Sequence, residues 1–284
     1  MPQVLVSTGA TQFGREFKQY PWTIGWQPDY VAEGRLCGLD IARNKPNAKI
    51  AILYQNDSYG KDYLNGFKSA LGTAKAKQQI VGEEGFEVTS PSPASQLAKL
   101  KATGADTLMI FVTTRATFQT YGVIRALNWK PANIYLNSVT ATDALMAVAV
   151  ASSSAATVNG SISVAYAKDP ASPTWDNDPT TKQYKALMAK YNPRGRATDG
   201  LNYYGFAKAH TFVRAMYKAG KNPTRASLMK ALLSFDETSP YLLPGSRLKT
   251  SASDHFMISH IQPMRFNDGN WTLFGSLIDG RPRG

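Results

Sequence analysis

Hydroxyl and amide side chains follow several short apolar runs of this sequence, and such groups hold a small molecule without attacking it. Residues 7–11 (Ser-Thr-Gly-Ala-Thr) follow the apolar run 4–6, and the glycine among small residues lets a ligand approach the backbone closely. Later runs are followed by similar polar tips at residues 56–59, 113–115 and 137–140. The sequence therefore predicts ligand binding at strand ends, although residues 7–11 also fit an ordinary capped turn between a strand and a helix.

Residue patterns for catalysis and metal binding are nearly absent. The three histidines, His210, His255 and His260, lack the spacing of a zinc-binding helix, and we expect each in a hydrogen-bonded or exposed structural role. The sequence has neither a glycine-rich phosphate loop with its lysine nor a Gly-x-Ser-x-Gly nucleophile motif. These absences predict a binding protein and not an enzyme, with no cofactor and no metal site.

The segment 49–67 (KIAILYQNDSYGKDYLNGF) contains the clearest structural signal. Its run 50–54 is apolar, rich in β-branched residues and without polar alternation, which is typical of a strand buried on both faces. Asp57 or Ser58 is placed to cap the amphipathic helix that follows. This is the first half of a βαβ unit, and in such sheets ligands bind beyond the carboxyl ends of the strands.

Strand and helix patterns alternate along most of the chain. Buried strands are predicted at 4–6 and 106–112, further strands at 133–136 and inside 79–88, and an extended segment at 161–166. Helices are predicted at 28–44, 94–103, 180–191, 199–219 and 225–233, and Asp-Gly at 268–269 predicts a terminal hairpin. Alternation of this kind predicts an α/β fold with doubly wound parallel sheets, whose strand ends meet along one edge.

Charge and composition exclude several classes of protein. The net charge is +12, but the lysines and arginines are scattered, so we expect no nucleic-acid partner and at most attraction of small anions or anionic membrane surfaces. The longest apolar stretch, 144–151, is too short to cross a bilayer. Cys37 is the only cysteine, which excludes an internal disulfide, and we expect it to pack as a small hydrophobic residue.

Four segments, in this order and spacing, resemble the type I periplasmic solute-binding proteins, and among these the leucine/isoleucine/valine-binding family of ABC transporters. They are VLVSTGAT (4–11), TIGWQPDYVAEG (23–34), KIAILYQNDSYGKDYLNGFKSAL (49–71) and GADTLMIFVTTRATFQTYGVIRAL (104–127). The resemblance extends over essentially the whole chain. It implies two doubly wound lobes joined by three crossovers, with the solute trapped as the lobes close.

The resemblance also implies a division of the chain. Residues 1–26 and 166–255 would form the first lobe, and residues 27–165 and 256–284 the second, with the crossovers near 24–27, 165–167 and 255–257. Compared with the family, the first lobe lacks its initial βα units, a serine that usually contacts the ligand carboxylate, and any signal peptide. We therefore expect this lobe to be incomplete and the chain to be poorly soluble or to associate.

Individual ligand residues follow from the resemblance. Gly9, Ala10 and Thr11, with Thr8 beside them, match the segment that holds the ligand carboxylate. Tyr59 matches a tyrosine that closes over the ligand, and Thr113 or Thr114 replaces a second such tyrosine. The set carried over is Thr8, Gly9, Ala10, Thr11, Tyr59, Thr113, Thr114, Ser138 and Asp199.

Ser138 stands where amino-acid-binding members of the family have the glutamate that pairs with the ligand ammonium. Serine cannot supply that charge, so an α-amino acid would need Asp199 to compensate. Arg115 favours a carboxylate without an amine, such as an aromatic or aliphatic acid, unless it simply points to solvent.

The resemblance thus predicts the periplasmic or extracytoplasmic solute-binding component of an ABC importer, with an ABC permease as partner. The predicted ligand is a small amino-acid-like or organic-acid molecule. The alternative is the ligand-sensing domain of a regulator or receptor with the same fold.

Overall fold

The structure is a computed structural model that describes residues 1–281, and it divides into two compact units. Unit 1 contains Met1–Asp29, Tyr166–Ile261 and the described chain from Leu277 onward, and unit 2 contains Tyr30–Ala165 and Gln262–Ser276. Compared with the predicted lobes, residues 27–29 and 256–261 belong to unit 1. Residues 277–281 also belong to unit 1, whereas the prediction placed them in the second lobe.

The described secondary structure is as follows. The strands are β1 (Gln3–Val6), β2 (Thr23–Gly25), β3 (Ile50–Gln55), β4 (Ile80–Phe86), β5 (Thr107–Phe111), β6 (Asn133–Leu136), β7 (Ile162–Ala165), β8 (Asp236–Thr238), β9 (Arg247–Lys249), β10 (His260–Asn267), β11 (Asn270–Leu273) and β12 (Ile278–Asp279). The helices are α1 (Gln12–Arg15), α2 (Tyr30–Asn44), α3 (Ser58–Leu71), α4 (Thr73–Gln79), α5 (Ala94–Ala102), α6 (Thr114–Ala126), α7 (Asp143–Ser152), α8 (Ala155–Val158), α9 (Pro179–Tyr191), α10 (Gly200–Ala219) and α11 (Arg225–Leu232). Two 3₁₀ turns lie at Ser138–Thr140 and Pro173–Trp175.

Unit 2 is built on one mainly parallel sheet, which confirms the predicted fold class. Its strand order is β11-β10-β7-β6-β5-β3-β4, in which the five strands from β7 to β4 run parallel. β10 is antiparallel to β7, and β11 is antiparallel to β10. The residues of β3 and β5 are almost all buried, because helices cover both faces of the central strands. Cys37 is buried on α2, as expected, and burial raises the pKa of its thiol.

Local signals fixed the ends of several elements in unit 2. The choice between Asp57 and Ser58 as the cap of α3 falls on Asp57, whose carboxylate accepts a hydrogen bond from the Gly60 amide at 3.3 Å. The hairpin between β10 and β11 turns at Asp268 and Gly269, which both have positive φ (50° and 87°). Two adjacent left-handed residues are the signature of a type I′ turn, so the Asp-Gly prediction is confirmed.

Unit 1 has less sheet and more helix. Strands β1 and β2 form a parallel pair, β8 and β9 an antiparallel pair, and the core lies among α9, α10, α11 and the chain around them. At its centre, the buried Trp26 donates its indole N–H to the Thr211 hydroxyl at 3.0 Å. The prediction of a buried strand at residues 4–6 is wrong in part. Only Leu5 of β1 is buried, since the described pairing covers β1 on one edge alone.

Several elements were not predicted. The apolar stretch 144–151 is the helix α7, α4 follows α3 after Gly72, and β8 and β9 have no counterpart among the predicted strands. Across residues 1–281, no helix combines the length and the apolar character needed to span a bilayer.

Candidate functional site

The polar tips of three neighbouring strands in unit 2 meet along one edge of the sheet. β3, β5 and β6 are adjacent, and their carboxyl ends lead into Gln55, Thr113 and Asn137. Gln55 is buried, and its side-chain carbonyl accepts from the Thr113 hydroxyl at 2.8 Å and from the Thr113 amide at 3.3 Å. Gln55 therefore fixes the start of α6, and Thr114, the next residue, is half-buried at the same edge.

Two residues of the third tip have a structural role instead. The Asn137 side-chain amide donates to the backbone carbonyls of Ile110 and Val112 at 3.3 and 2.8 Å, and its oxygen accepts from the amide of Thr140 at 3.0 Å. Both Asn137 and Thr140 are buried. The side chain of Asn137 thus ties β6 to β5 and starts the turn that presents Ser138.

Ser138 lies against a carboxylate that the sequence analysis missed. Its hydroxyl donates to Glu33 at 2.9 Å and its amide to the other carboxylate oxygen at 3.3 Å, while the Tyr63 hydroxyl donates to Glu33 at 2.6 Å. Glu33 is only 1% exposed, on the buried side of α2 between Tyr30 and Cys37. The available signal was a charged residue within the apolar face of a predicted helix, which requires partners for its charge.

Tyrosine rings surround this carboxylate. Tyr30 stacks on Tyr63 with ring centroids 5.0 Å apart, and Tyr59 meets Tyr30 edge-on at 4.8 Å. Burial raises the pKa of both Tyr59 and Tyr63 well above the usual value, and the nearby negative groups act in the same direction, so both hydroxyls stay protonated. The Tyr59 hydroxyl is buried and forms no hydrogen bond of normal geometry. The Tyr63 hydroxyl lowers the pKa of Tyr59, but by less than burial raises it.

Several groups of the predicted ligand loop of unit 1, residues 8–11, form hydrogen bonds within the protein. The Thr8 hydroxyl accepts from the Ala10 amide at 3.1 Å, and Gly9 and Ala10 are buried. The Thr11 hydroxyl donates to Asp29 at 2.6 Å, and the second oxygen of Asp29 pairs with Arg15 at 3.1 Å. The Thr11 hydroxyl is therefore held in place by a carboxylate.

A lysine that the sequence analysis did not single out lies at the same loop. The ammonium of Lys208, on α10, donates to the Ser7 hydroxyl and sits 5.3 Å from the centre of the Tyr204 ring. Burial lowers the pKa of Lys208. A partly desolvated cation beside a hydroxyl-rich loop is suited to hold a carboxylate.

Asp199 and Arg115 have partners within their own units. Asp199 caps α10 by accepting from the Leu201 amide at 2.9 Å. The Arg115 guanidinium donates to the carbonyls of Val88 and Ser90 at 3.0 and 2.9 Å, so it holds the 88–90 loop and is not directed simply to solvent. Of the two alternatives left open for Arg115, neither had included this structural role.

The histidines follow the prediction only once. His255 is buried, and its ring nitrogen lies 2.8 Å from the Thr23 carbonyl, as expected for a hydrogen-bonded structural residue. His210 and His260 differ from the prediction, because in each the Nδ1 atom is buried without a hydrogen bond. Within residues 1–281, no group of three or more histidine, cysteine or acidic side chains is arranged to hold a metal ion.

Comparison with known proteins identifies the family of this chain. A family model described as a periplasmic binding protein matches residues 2–270. The chain belongs to the periplasmic binding protein family. Residues 49–67, the clearest signal of the sequence, lie well inside the matched range, as do all the predicted ligand residues. No curated protein matches the sequence significantly.

Solved structures of binding proteins share the fold. A branched-chain amino acid ABC transporter protein from Thermus thermophilus with bound valine has a TM-score of 0.79 at 15% identity, over 98% of this chain and 72% of that one. A substrate-binding periplasmic protein from Ralstonia solanacearum has a TM-score of 0.78 at 18% identity, covering 96% and 73%. A possible leucine/isoleucine/valine-binding protein from Rhodopirellula baltica SH 1 has a TM-score of 0.74 at 19% identity, covering 97% and 71%.

Proposed function

We propose that this protein is the extracytoplasmic solute-binding component of an ABC importer and that it binds a small amino-acid-like or organic-acid molecule without altering it. The match of the periplasmic binding protein model to residues 2–270 carries this proposal. The names of two structural neighbours, which refer to valine and to leucine, isoleucine and valine, support an amino-acid-like ligand.

The groups at the loop after β1 support a ligand that bears a carboxylate. Lys208 supplies a cation beside Ser7, and the adjacent backbone carries small residues that a ligand can approach closely. A carboxylate in contact with the ammonium would gain a charge-assisted hydrogen bond. Closure of two lobes on the solute, which the family resemblance implies, stays a prediction.

Binding is tested by thermal unfolding of the purified chain in the presence of amino acids and small organic acids. A ligand at 100 times its dissociation constant stabilises the native state by about 2.7 kcal/mol, which raises the unfolding temperature by several degrees. Small-angle scattering with the best ligand tests closure, which reduces the radius of gyration. A broad panel of such solutes without any thermal shift contradicts the proposal.

The role of Lys208 is tested by Lys208→Gln. We expect the affinity for carboxylate-bearing solutes to fall at least about tenfold, because a charge-assisted hydrogen bond contributes roughly 1.5–3 kcal/mol. Lys230→Gln, an exposed change on α11, is the matched control and should leave affinity unchanged. Equal affinity in both variants excludes Lys208 from the ligand contacts.

The importer role needs a separate measurement. The chain, loaded with its solute, should stimulate ATP hydrolysis by its ABC permease and ATPase in proteoliposomes. A solute that binds tightly without any such stimulation contradicts the importer role and favours the ligand-sensing alternative.

A further inference from the structure

We propose that unit 2 contains a second small-molecule site, at the amino ends of its parallel strands, and that this site takes a small organic anion with an apolar body, such as an aromatic carboxylate. The site is a pocket of about 430 Å³ between the end of α6, the turn that leads into β6, and the short helix α8. It lies at the opposite end of the strands from the polar tips described above. The proposal does not depend on the proposed solute-binding function.

The pocket is separated from the candidate site by the length of β6. Ile134, near the start of β6, lines the pocket, whereas Ser138 follows the carboxyl end of the strand. At about 3.3 Å per residue, β6 spans about 13 Å. The helix α6 shows the same separation, because it begins at Thr114, beside the polar tips, and lines the pocket with Ile124 and Arg125 of its last turns. The pocket therefore uses different residues from those predicted to hold the solute.

The first support is the size of the pocket and its apolar floor. Its volume falls within the range of about 300–1,000 Å³ that is typical of small-molecule sites. Ile124, Trp129 and Ile134 line it and are 0%, 7% and 6% exposed. The indole N–H of Trp129 donates to the Ala105 carbonyl at 3.3 Å, so the polar atom of this side chain is already satisfied. The apolar body of a ligand would leave water against this floor, which favours binding.

The second support is the positive charge at the rim. Arg125 and Lys130 line the pocket and are exposed, and the lining residues include no aspartate or glutamate. The Arg125 guanidinium donates to the Ser153 carbonyl, which is a neutral partner. Within residues 1–281, neither cation is paired with a carboxylate. Arginine can hold a carboxylate through two parallel hydrogen bonds, and a nearby ammonium adds to the attraction.

The third support is that the turn beside the pocket is already held in place. Asn128, which lines the pocket, has a left-handed backbone (φ 50°), a conformation that asparagine adopts more readily than most residues. The amide of Trp129 donates to the Ile124 carbonyl at 3.0 Å, and the ammonium of Lys101 donates to the Leu127 carbonyl at 2.6 Å. Because these bonds fix the turn without a ligand, binding does not have to order it.

The test is ligand-detected fluorine-19 NMR with the purified chain at pH 7. The probe is 4-fluorobenzoate, and 4-fluorobenzamide is its uncharged match. We expect saturable broadening of the benzoate signal and an affinity at least about tenfold higher than for the benzamide, because only the benzoate can pair with the cations. The double variant Arg125→Gln/Lys130→Gln should lower the affinity for the benzoate at least about tenfold and change the affinity for the benzamide by less than about threefold.

Two further variants separate the pocket from general surface charge. Arg43→Gln/Lys75→Gln removes the same two kinds of cation from exposed positions of unit 2 outside the pocket, and it should keep the affinity of the unmodified chain. Ala132→Trp keeps both rim cations but places a large ring at an exposed residue that lines the pocket. It should lower the affinity for the benzoate, because the ring competes with the probe for the same space.

Several results would overturn the proposal. They are a benzoate signal without saturable broadening at concentrations up to about 10 mM, equal affinities for benzoate and benzamide, and an unchanged benzoate affinity in Arg125→Gln/Lys130→Gln. If the affinity is unchanged there but lost in Lys208→Gln, the probe occupies the loop after β1 instead. If the double variant does not fold, as judged by circular dichroism, Ala132→Trp decides: a lowered affinity supports the pocket, and an unchanged affinity overturns it.

Discussion

Gly34 of α2 lies directly against the backbone of Tyr63 on α3. A Cβ atom added to Gly34 would stand 2.2 Å from the Tyr63 carbonyl oxygen, and one added to Gly66 of α3 would stand 2.1 Å from the Val31 carbonyl oxygen. The two helices therefore touch backbone to backbone, which only glycine permits. This contact brings Glu33, the neighbour of Gly34, within hydrogen-bond reach of the Tyr63 hydroxyl.

Gly34→Ala should destabilise the protein. The added methyl group meets backbone atoms, which cannot rotate away, so the helices must separate at a cost of about 1–3 kcal/mol or more. Urea unfolding followed by circular dichroism measures the change. Gly205→Ala on α10 is the control, since nothing lies within 4 Å of its added Cβ and the change should stabilise the helix by about 0.5–1 kcal/mol. Equal unfolding midpoints for Gly34→Ala and the unmodified chain would show that α2 and α3 are not in backbone contact.

Gln55→Leu should loosen the ends of β3 and β5. Leucine leaves the amide and hydroxyl of Thr113 without their acceptor, and an unsatisfied buried polar group costs about 1–3 kcal/mol. The measurement is a double-mutant cycle with Thr113→Val, which removes the hydroxyl. If the effects of Gln55→Leu and Thr113→Val on the free energy of unfolding simply add, the two side chains are not coupled.

Tyr59→Phe and Tyr63→Phe should have different effects on stability. Loss of the Tyr63 hydroxyl removes a hydrogen bond to the Glu33 carboxylate, which contributes about 1.5–3 kcal/mol. Loss of the Tyr59 hydroxyl removes an unsatisfied buried group, so the free energy of unfolding should stay the same or rise by up to about 1 kcal/mol. Thermal unfolding of both variants without ligand makes the comparison. A larger loss in Tyr59→Phe would mean that its hydroxyl has a partner in the free protein.

Asp178→Ala should destabilise unit 1. Asp178 caps α9 by accepting from the Thr181 amide at 2.9 Å and pairs at 2.6 Å with Lys168, whose side chain is 9% exposed. The variant loses the cap and leaves a buried ammonium without this partner, for about 2–4 kcal/mol in all. Asp176→Ala removes an exposed pair with Lys185 and should cost less than about 1 kcal/mol. Chemical unfolding measures the free energy of unfolding of both variants. Similar losses in Asp178→Ala and Asp176→Ala would show that the pair with Lys168 contributes no more than an exposed ion pair.

His210 should make stability depend on pH. Burial lowers the pKa of His210, the nearby Arg214 lowers it further, and Glu237 opposes both. The unfolded chain, with a histidine pKa of about 6.5, therefore takes up the proton before the folded chain does. Stability is greatest above this pH and falls as the pH is lowered toward the folded pKa. His210→Gln should flatten this part of the profile of unfolding free energy against pH. Parallel profiles for the variant and the unmodified chain would contradict the lowered pKa.

Most of the parallel sheet in unit 2 could be predicted, because its signals are local. Apolar runs without alternation mark β3, β5 and β6, Asp57 lies where a cap is needed, and Asp-Gly marks the hairpin. The helix α7 was missed because its alanine- and valine-rich stretch carries almost no amphipathic pattern. The exposure of β1 was missed because burial depends on neighbours that a strand's own sequence does not specify.

The residues of the candidate site were likewise predicted only in part. The sequence identified Tyr59, Thr113 and Ser138 from their positions after strands and from the family resemblance, and their roles in binding stay predictions. It gave no indication that Glu33 would meet Ser138, since the two residues are 105 positions apart and lie on different elements.

The sequence alone determined the fold class, the order of the strands and helices in the central part of the chain, and the family. The fold class and the order of elements follow from hydrophobic periodicity and turn chemistry, which act over a few residues, and the family follows from the resemblance of four segments. Only the tertiary structure decided which charges stand beside the polar tips. The backbone contact between α2 and α3 sets Glu33 against Tyr63 and Ser138, and the packing of α10 sets Lys208 against Ser7. Long-range contacts of this kind depend on how whole elements pack, and no short stretch of sequence encodes them.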